Sequence, residues 1–275
     1  GGSVINQLAY KKNKPMIKRA VVESGMFINP FMTMFPSRSL ADAEKIGQEF
    51  FEFCGVKNLK EARELSTEFL FKKWDEWGGF PKSAMTWGPV NDGSFICFNF
   101  FDAVEKGLIE VPPLLTGYTP DEFNFGPIGA DKSEEINTVE LALRKLTNSL
   151  EKNGNKNKNF LYRFDVPIPG WDNPGKFHSV DLWFFFETLA KCWRPFKGFH
   201  YDVSRQMCSY LCNFIKTGDV NGLDSYNCFA CSKESDWETL PKWEPFSTSK
   251  NNFMIFEKEC HQEEFPASEK IKKYL

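Results

Sequence analysis

Net charge, histidine, cysteine and long apolar runs are all scarce in this sequence, and each shortage removes a class of function. A net charge of -3 gives no electrostatic footprint for nucleic acid. The basic runs Lys11-Lys12-Asn13-Lys14 and residues 152–158 are short, mixed with asparagine, and read as solvated loops. No stretch approaches the ~18 uninterrupted apolar residues of a membrane-spanning helix. The longest apolar patches, residues 95–101 and 182–186, are broken or brief. Gly1-Gly2-Ser3-Val4 has neither the basic nor the apolar region of a secretory signal, which leaves localisation undetermined if residues precede Gly1. Eight cysteines in 275 residues are too sparse for a disulfide scaffold. The pair Cys228-Phe229-Ala230-Cys231 is a lone C-x-x-C in a loop. A zinc site there would need two more ligands, with Cys208, Cys212, Cys260 and His261 available in principle. Structural cysteines, with no metal and no cofactor, are the favoured reading, and Cys208 and Cys212 read as small hydrophobes on one helix face.

What is present is aromatic. Twenty-nine Phe and 8 Trp bring aromatics to 16%, which suits an extensive core and selects no chemistry. Residues 4–10 read as the tail of a helix. Residues 17–23 (IKRAVVE) read as a buried strand stopped by Ser24-Gly25. Ser39, with Asp42 three residues on, opens a helix whose apolar residues Leu40, Ala43, Ile46, Phe50 and Phe53 recur at helical spacing until Gly55. Residues 59–74 continue as a second helix, 87–93 form a turn-rich connection, and 101–106 a short helix. Residues 111–116 (VPPLLT) read as a strand entering a sheet. Residues 133–151 form an amphipathic helix, with Ile136, Val139, Leu143, Leu146 and Leu150 on one stripe. A strand over 159–168, helices over 180–189 and 201–216, and a short edge strand at 254–256 complete the chain. This alternation predicts an α/β fold with a mostly parallel sheet and flanking helices.

Two places can carry chemistry. One is Leu114-Leu115-Thr116-Gly117-Tyr118-Thr119-Pro120-Asp121-Glu122-Phe123, where a strand delivers two acids at its C-terminal edge, the edge at which open α/β sheets bind ligands. An exposed acidic loop is the competing reading. The other is His178, one of three histidines, in a loop ahead of an aromatic helix. A structural histidine is the competing reading there. Acid first and histidine later is the order of α/β-hydrolase triads, but the chain has no Gly-x-Ser-x-Gly nucleophile turn.

Several spaced motifs, in order from Gly1 to about Phe256, resemble the type-B carboxylesterase family, which includes the cholinesterases. Gly1-Gly2-Ser3-Val4 is similar to the tail of that family's Gly-Glu-Ser-Ala-Gly-Gly motif, and residues 17–25 resemble the strand that follows it, usually ending Gln-Ser-Gly. Residues 87–93 resemble its Pro-Val-x-Asp-Gly turn. Residues 114–123 resemble the loop of the triad acid, aligned on Glu122 rather than Asp121, and residues 177–186 the segment of the triad histidine, His178. Trp193-Arg194-Pro195, residues 213–219 and 243–246 resemble the C-terminal helix and strand. Val220 departs from the usual Pro, and 221–240 departs as a cysteine-rich loop insertion.

The resemblance implies the C-terminal portion of an α/β-hydrolase domain over residues 1–275, starting just after the nucleophile turn. It implies a serine ester hydrolase with Glu122 and His178 in the triad and the serine two positions before Gly1. Ser24 would support the acid by a hydrogen bond, and Gly1 or Gly2 would contribute to the oxyanion hole. The expected partners are a small ester and the remaining N-terminal half of the domain, without nucleic acid or a membrane span. The strand at 17–23 would be left as an open edge, and the chain alone inactive. A non-catalytic, cholinesterase-like adhesion protein is the competing function.

Overall fold

The β-branched and aromatic segments assemble one five-stranded sheet in the computed structural model, which describes residues 1–27, 38–79, 87–122, 136–222 and 240–275. The order is β1 (Ala20–Glu23), β4 (Leu114–Tyr118), β5 (Asn159–Phe164), β6 (Asn252–Phe256) and β7 (His261–Glu264). The first four strands run parallel and β7 closes the far edge antiparallel. Among the described residues β1 pairs only with β4, so its other side is an open hydrogen-bonding edge. Parallel strands need crossovers, and the helices that supply them cover both faces.

Side-chain alternation along the strands sorts the core into two halves. Val22, Leu114, Tyr118, Leu161, Phe253 and Ile255 face α1 (Gly2–Ala9), α5 (Phe100–Glu105) and α6 (Thr138–Lys152). Leu115, Phe160, Tyr162, Phe164, Met254 and Phe256 face α7 (Asp181–Phe185) and α8 (Gly198–Thr217). Val220, where the family resemblance expects proline, is buried in this second half. A short helix α9 (Glu269–Lys272) packs Ile271 against Ile136 and Leu141 on the outer side of α6.

Residues 38–79 lie apart from the sheet in sequence and in burial. A two-residue pair, β2 (Arg38–Ser39) with β3 (Val90–Asn91), adjoins α2 (Leu40–Cys54), α3 (Leu59–Arg63) and α4 (Thr67–Glu76). Ser39 caps α2 by accepting from the Asp42 amide, and Gly55 ends it in a left-handed conformation.

Three expectations change in detail. The strand at 254–256 is not an edge. β6 is buried along its whole length because Phe253 and Ile255 on one face and Met254 and Phe256 on the other are apolar, and the hydrophilic β7 takes the edge. The helix over 59–74 is two helices, because Ser66 caps a new start by accepting from the Phe69 amide. The amphipathic helix begins at Thr138, where Asn137 accepts from the amides of Val139 and Glu140, and not at Ser133, which lies outside the described residues. Most of the expected loop insertion at 221–240, with Cys228 and Cys231, also lies outside them. No described helix is long and apolar enough to cross a membrane.

Candidate active site

The acid loop leaves β4 at Tyr118 and the histidine loop leaves β5 at Phe164, two neighbouring parallel strands, so both loops emerge at the same C-terminal sheet edge. A parallel bridge ties them at Asp121 and Phe177. Asp121 accepts from the Lys176 amide at 2.7 Å and donates its own amide to the Lys176 carbonyl at 3.3 Å. The contact requires glycine at 175, with φ of +65° and the Asp121 carboxylate 2.5 Å from where a Cβ would stand.

This bridge uses up Asp121 and turns Glu122 inward. Glu122 Oε2 stands 2.6 Å from His178 Nδ1, and its Oε1 accepts from the Thr119 amide at 3.0 Å. The Glu122 side chain is fully buried, while that of His178 is 28% exposed, so the carboxylate is sheltered and the ring reaches the surface. An ionised carboxylate only accepts, so Nδ1 carries the proton of this bond. Asn137, the cap of α6, donates to the carbonyls of Thr119 and Pro120 and braces the acid loop from behind.

The histidine loop is pinned at several points. Arg194 forms a two-pronged pair with Asp172 at 2.9 and 2.8 Å and donates to the Pro169 carbonyl. His200 Nε2 lies 3.0 Å from the Pro167 carbonyl. Ser179, next to the imidazole, has φ of +72°, the kind of backbone strain that clusters at functional sites.

Behind the pair is a buried acid that sequence reading missed. Asp181 is completely buried, and its Oδ2 accepts from the Tyr162 hydroxyl at 2.7 Å. Burial pushes its carboxyl up to about 6; the Tyr162 bond and the His178 charge oppose this, and Glu122 adds to it. Glu23, ending β1, is pushed to about 7 by burial and by the Asp181 charge. Burial drives the Tyr162 hydroxyl well above its usual value. Position 181, three residues after the histidine and in the first helical turn, was the only sequence signal for Asp181, and an acid there reads as an ordinary cap.

The other candidates fall as follows. Gly1 packs directly on Gly25, with Gly25 Cα 2.3 Å from where a Gly1 Cβ would stand, which seats the start of α1 beside the end of β1. The carbonyl of Gly1 accepts from the Val4 and Ile5 amides, and Gly2 is buried. Ser24 is buried with φ of +45°, but its Oγ has no hydrogen-bond partner among the described residues. The hydrogen bond to the acid that the resemblance assigned it is therefore absent, Glu122 being engaged by Thr119 and His178 instead. Cys208 and Cys212 are half-buried free thiols. Among the described residues no group of three or more potential metal ligands comes together. A concavity lined by Gln7, Lys14, Lys18 and Glu110 sits at the entry to β1 and β4, the end opposite the acid and histidine.

Strand order, crossovers and the acid–histidine edge together define an α/β-hydrolase fold. The family model for the carboxylesterase family matches residues 130–273, and the chain belongs to that family. Among solved structures it is similar to the carboxylesterase EST55 of Geobacillus stearothermophilus at pH 6.8, with 19% identity and a TM-score of 0.70 over 98% of this chain and 60% of that one. It is also similar to a PNB esterase, with 20% identity and a TM-score of 0.69 over 100% of this chain and 62% of that one. A thermophilic PNB esterase gives 18% identity and a TM-score of 0.69, over 99% and 60%. The chain thus spans about three fifths of the length of these structures. No curated protein sequence matches it.

Proposed function

We propose that these residues supply the acid, Glu122, and the base, His178, of a carboxylic ester hydrolase whose serine stands upstream of Gly1. The observation that carries the reading is the 2.6 Å bond from His178 Nδ1 to the buried Glu122 carboxylate. With Nδ1 committed to Glu122, Nε2 is the nitrogen that takes the serine proton as the hydroxyl attacks the acyl carbon. It then gives that proton to the departing alcohol, and water releases the acyl-enzyme by the same steps in reverse. Glu122 holds the tautomer and stabilises the imidazolium as it forms. The substrate class is a small carboxylic ester, and no cofactor enters these steps. Family membership and the α/β-hydrolase fold support the reading.

The experiment joins this chain to its upstream segment and follows p-nitrophenyl acetate. Turnover is expected in the joined protein and absent from the 275 residues alone. His178→Ala should abolish it, and Glu122→Gln should reduce it by a factor on the order of 10⁴, as loss of the orienting carboxylate does in serine proteases. Turnover indifferent to both substitutions would sink the assignment, and turnover by the isolated chain that His178→Ala removes would sink the upstream serine.

A further inference from the structure

Register places three residues of different strands in one row. Glu23 of β1 is opposite Gly117 of β4, and Gly117 is opposite Tyr162 of β5. Ring atoms and the backbone carbonyl oxygen of Tyr162 lie 2.4 Å from where a Cβ at 117 would stand, so no other residue fits there. The ring packs against Phe185 and Phe256, and its hydroxyl meets Asp181 Oδ2 at 2.7 Å. Asp181 opens α7 three residues after His178, so this bond ties the histidine loop down to the sheet. Its Oδ1 is buried and accepts from no described residue.

We infer that Asp181 is a positioning residue for the Glu122–His178 pair, fixing the height of the histidine loop over β5 through Tyr162 and adding a second buried negative charge within reach of the imidazole. This inference rests on the proposed function and deepens it. The groups that act on Asp181 are Tyr162 of β5, Glu122 of the acid loop and His178 of its own loop. Glu23 of β1 is within the field of Asp181. Above about pH 6 the carboxyl is ionised. Two carboxylates then favour the protonated ring that forms as serine attacks, one by a direct bond and one through space.

The test is read on Asp181 itself, by carbon-13 NMR of its side-chain carboxyl across a pH titration of the 275-residue chain. The expected midpoint is near 6. Tyr162→Phe removes a donor to the carboxylate and should raise it. His178→Gln removes the imidazole whose charged form lowers it and should also raise it. Glu122→Gln removes a like charge and should lower it. Each shift is expected at roughly half a unit to one unit. The three replacements preserve volume, and the midpoint of the unaltered chain stands as a reading if any of them fails to fold. A midpoint at the ordinary aspartate value of about 4, or one unmoved by the changes at both 122 and 178, overturns the inference. A second readout separates it from the reading it rests on: the low-field proton resonance of the His178 Nδ1–H bonded to Glu122, which Glu122→Gln should abolish. If that resonance is absent, or survives Glu122→Gln, the pair itself fails and the inference with it. If it behaves as expected while the Asp181 midpoint stays fixed, the inference alone fails.

Discussion

Two helices of equal length, α2 and α6, have fifteen residues each, an N-cap side chain on a backbone amide, and apolar residues at helical spacing. Ten residues of α6 are buried and one of α2, Cys54. The difference is what each was given to pack on. One side of α6 meets β4 and β6 through Val139, Leu143 and Leu146, and its outer side meets α9 through Leu141, so it is enclosed on more than one stripe. In α2, by contrast, the apolar stripe packs among the described residues through aromatic contacts, Phe50 lying 5.2 Å from Trp77 and 5.6 Å from Trp87 between ring centroids. Leu40 and Phe53 of α2, and Phe71 of α4, remain exposed. Amphipathicity states that a helix has a face to bury; only tertiary structure decides whether it is buried.

The enclosure of α6 is tested hardest at Arg144, which is 1% exposed. Its guanidinium bonds Glu140 at 2.8 Å, donates to the Phe265 carbonyl at 2.7 Å and lies over the Phe253 ring. Arg144→Ala leaves the buried Glu140 carboxylate without its cation, held among the described residues only by the Tyr118 hydroxyl, and should cost roughly 3–5 kcal/mol, the range for breaking a buried pair from one side. Denaturant unfolding followed by tryptophan fluorescence measures it. A loss near zero would mean that this helix is no more enclosed than α2.

The apolar counterpart is Leu143→Ala against Phe50→Ala. Leu143 is fully buried and its truncation should cost roughly 2–5 kcal/mol. Phe50 is half-buried, and its loss should cost about 1 kcal/mol or less despite the larger side chain. Equal losses in the same unfolding transition would place α2 in one cooperative unit with the sheet and dissolve the contrast.

Acidity distinguishes the two regions as well. The raised carboxyls, Glu23 at the end of β1 and Asp181 at the start of α7, lie in the half built on the sheet. A carboxyl whose folded value exceeds its unfolded one binds more protons when folded, so stability falls as pH rises between the two values. For Asp181 that window runs from its ordinary value of 3.8 to about 6. The loss across it is on the order of 2–3 kcal/mol. Asp181→Asn should flatten the stability profile in that window, as measured by denaturant midpoints at closely spaced pH values. A profile with the same slope in the variant would assign the loss elsewhere.

What could be read in advance follows the same division. The stripe at 136, 139, 143, 146 and 150 announced α6, and Ser39 with Asp42 announced the start of α2, because caps and periodicity are local. The β6 run is too short to show whether one face or both is covered, and so reads as an edge. The site was half legible. Residues alone left Asp121 and Glu122 as alternatives, and family resemblance selected Glu122. The physical reason lies far along the chain, where the Lys176 amide and the Phe177 bridge occupy Asp121 and leave its neighbour to face His178. Asp181 was invisible because its partner, Tyr162, sits on another element and reads as one more strand aromatic.

The finest test of the contrast uses one chemistry twice. Ser39 and Asn137 both cap a helix by accepting backbone amides, and replacing either by alanine removes about 0.5–2 kcal/mol of helix stability. Ser39 is exposed and, beyond the Asp42 side chain, its hydroxyl holds nothing distant in sequence. Asn137 also donates to the carbonyls of Thr119 and Pro120, three and two residues before Glu122. Ser39→Ala should therefore speed hydrogen exchange in the first turn of α2 and leave the acid loop untouched. Asn137→Ala should speed exchange in α6 and also loosen the Thr119 amide, which bonds Glu122 Oε1. Exchange at Thr119 is the deciding measurement. If Asn137→Ala leaves it as slow as Ser39→Ala does, the brace from α6 to the acid loop is not holding Glu122, and burial alone keeps the carboxylate in place.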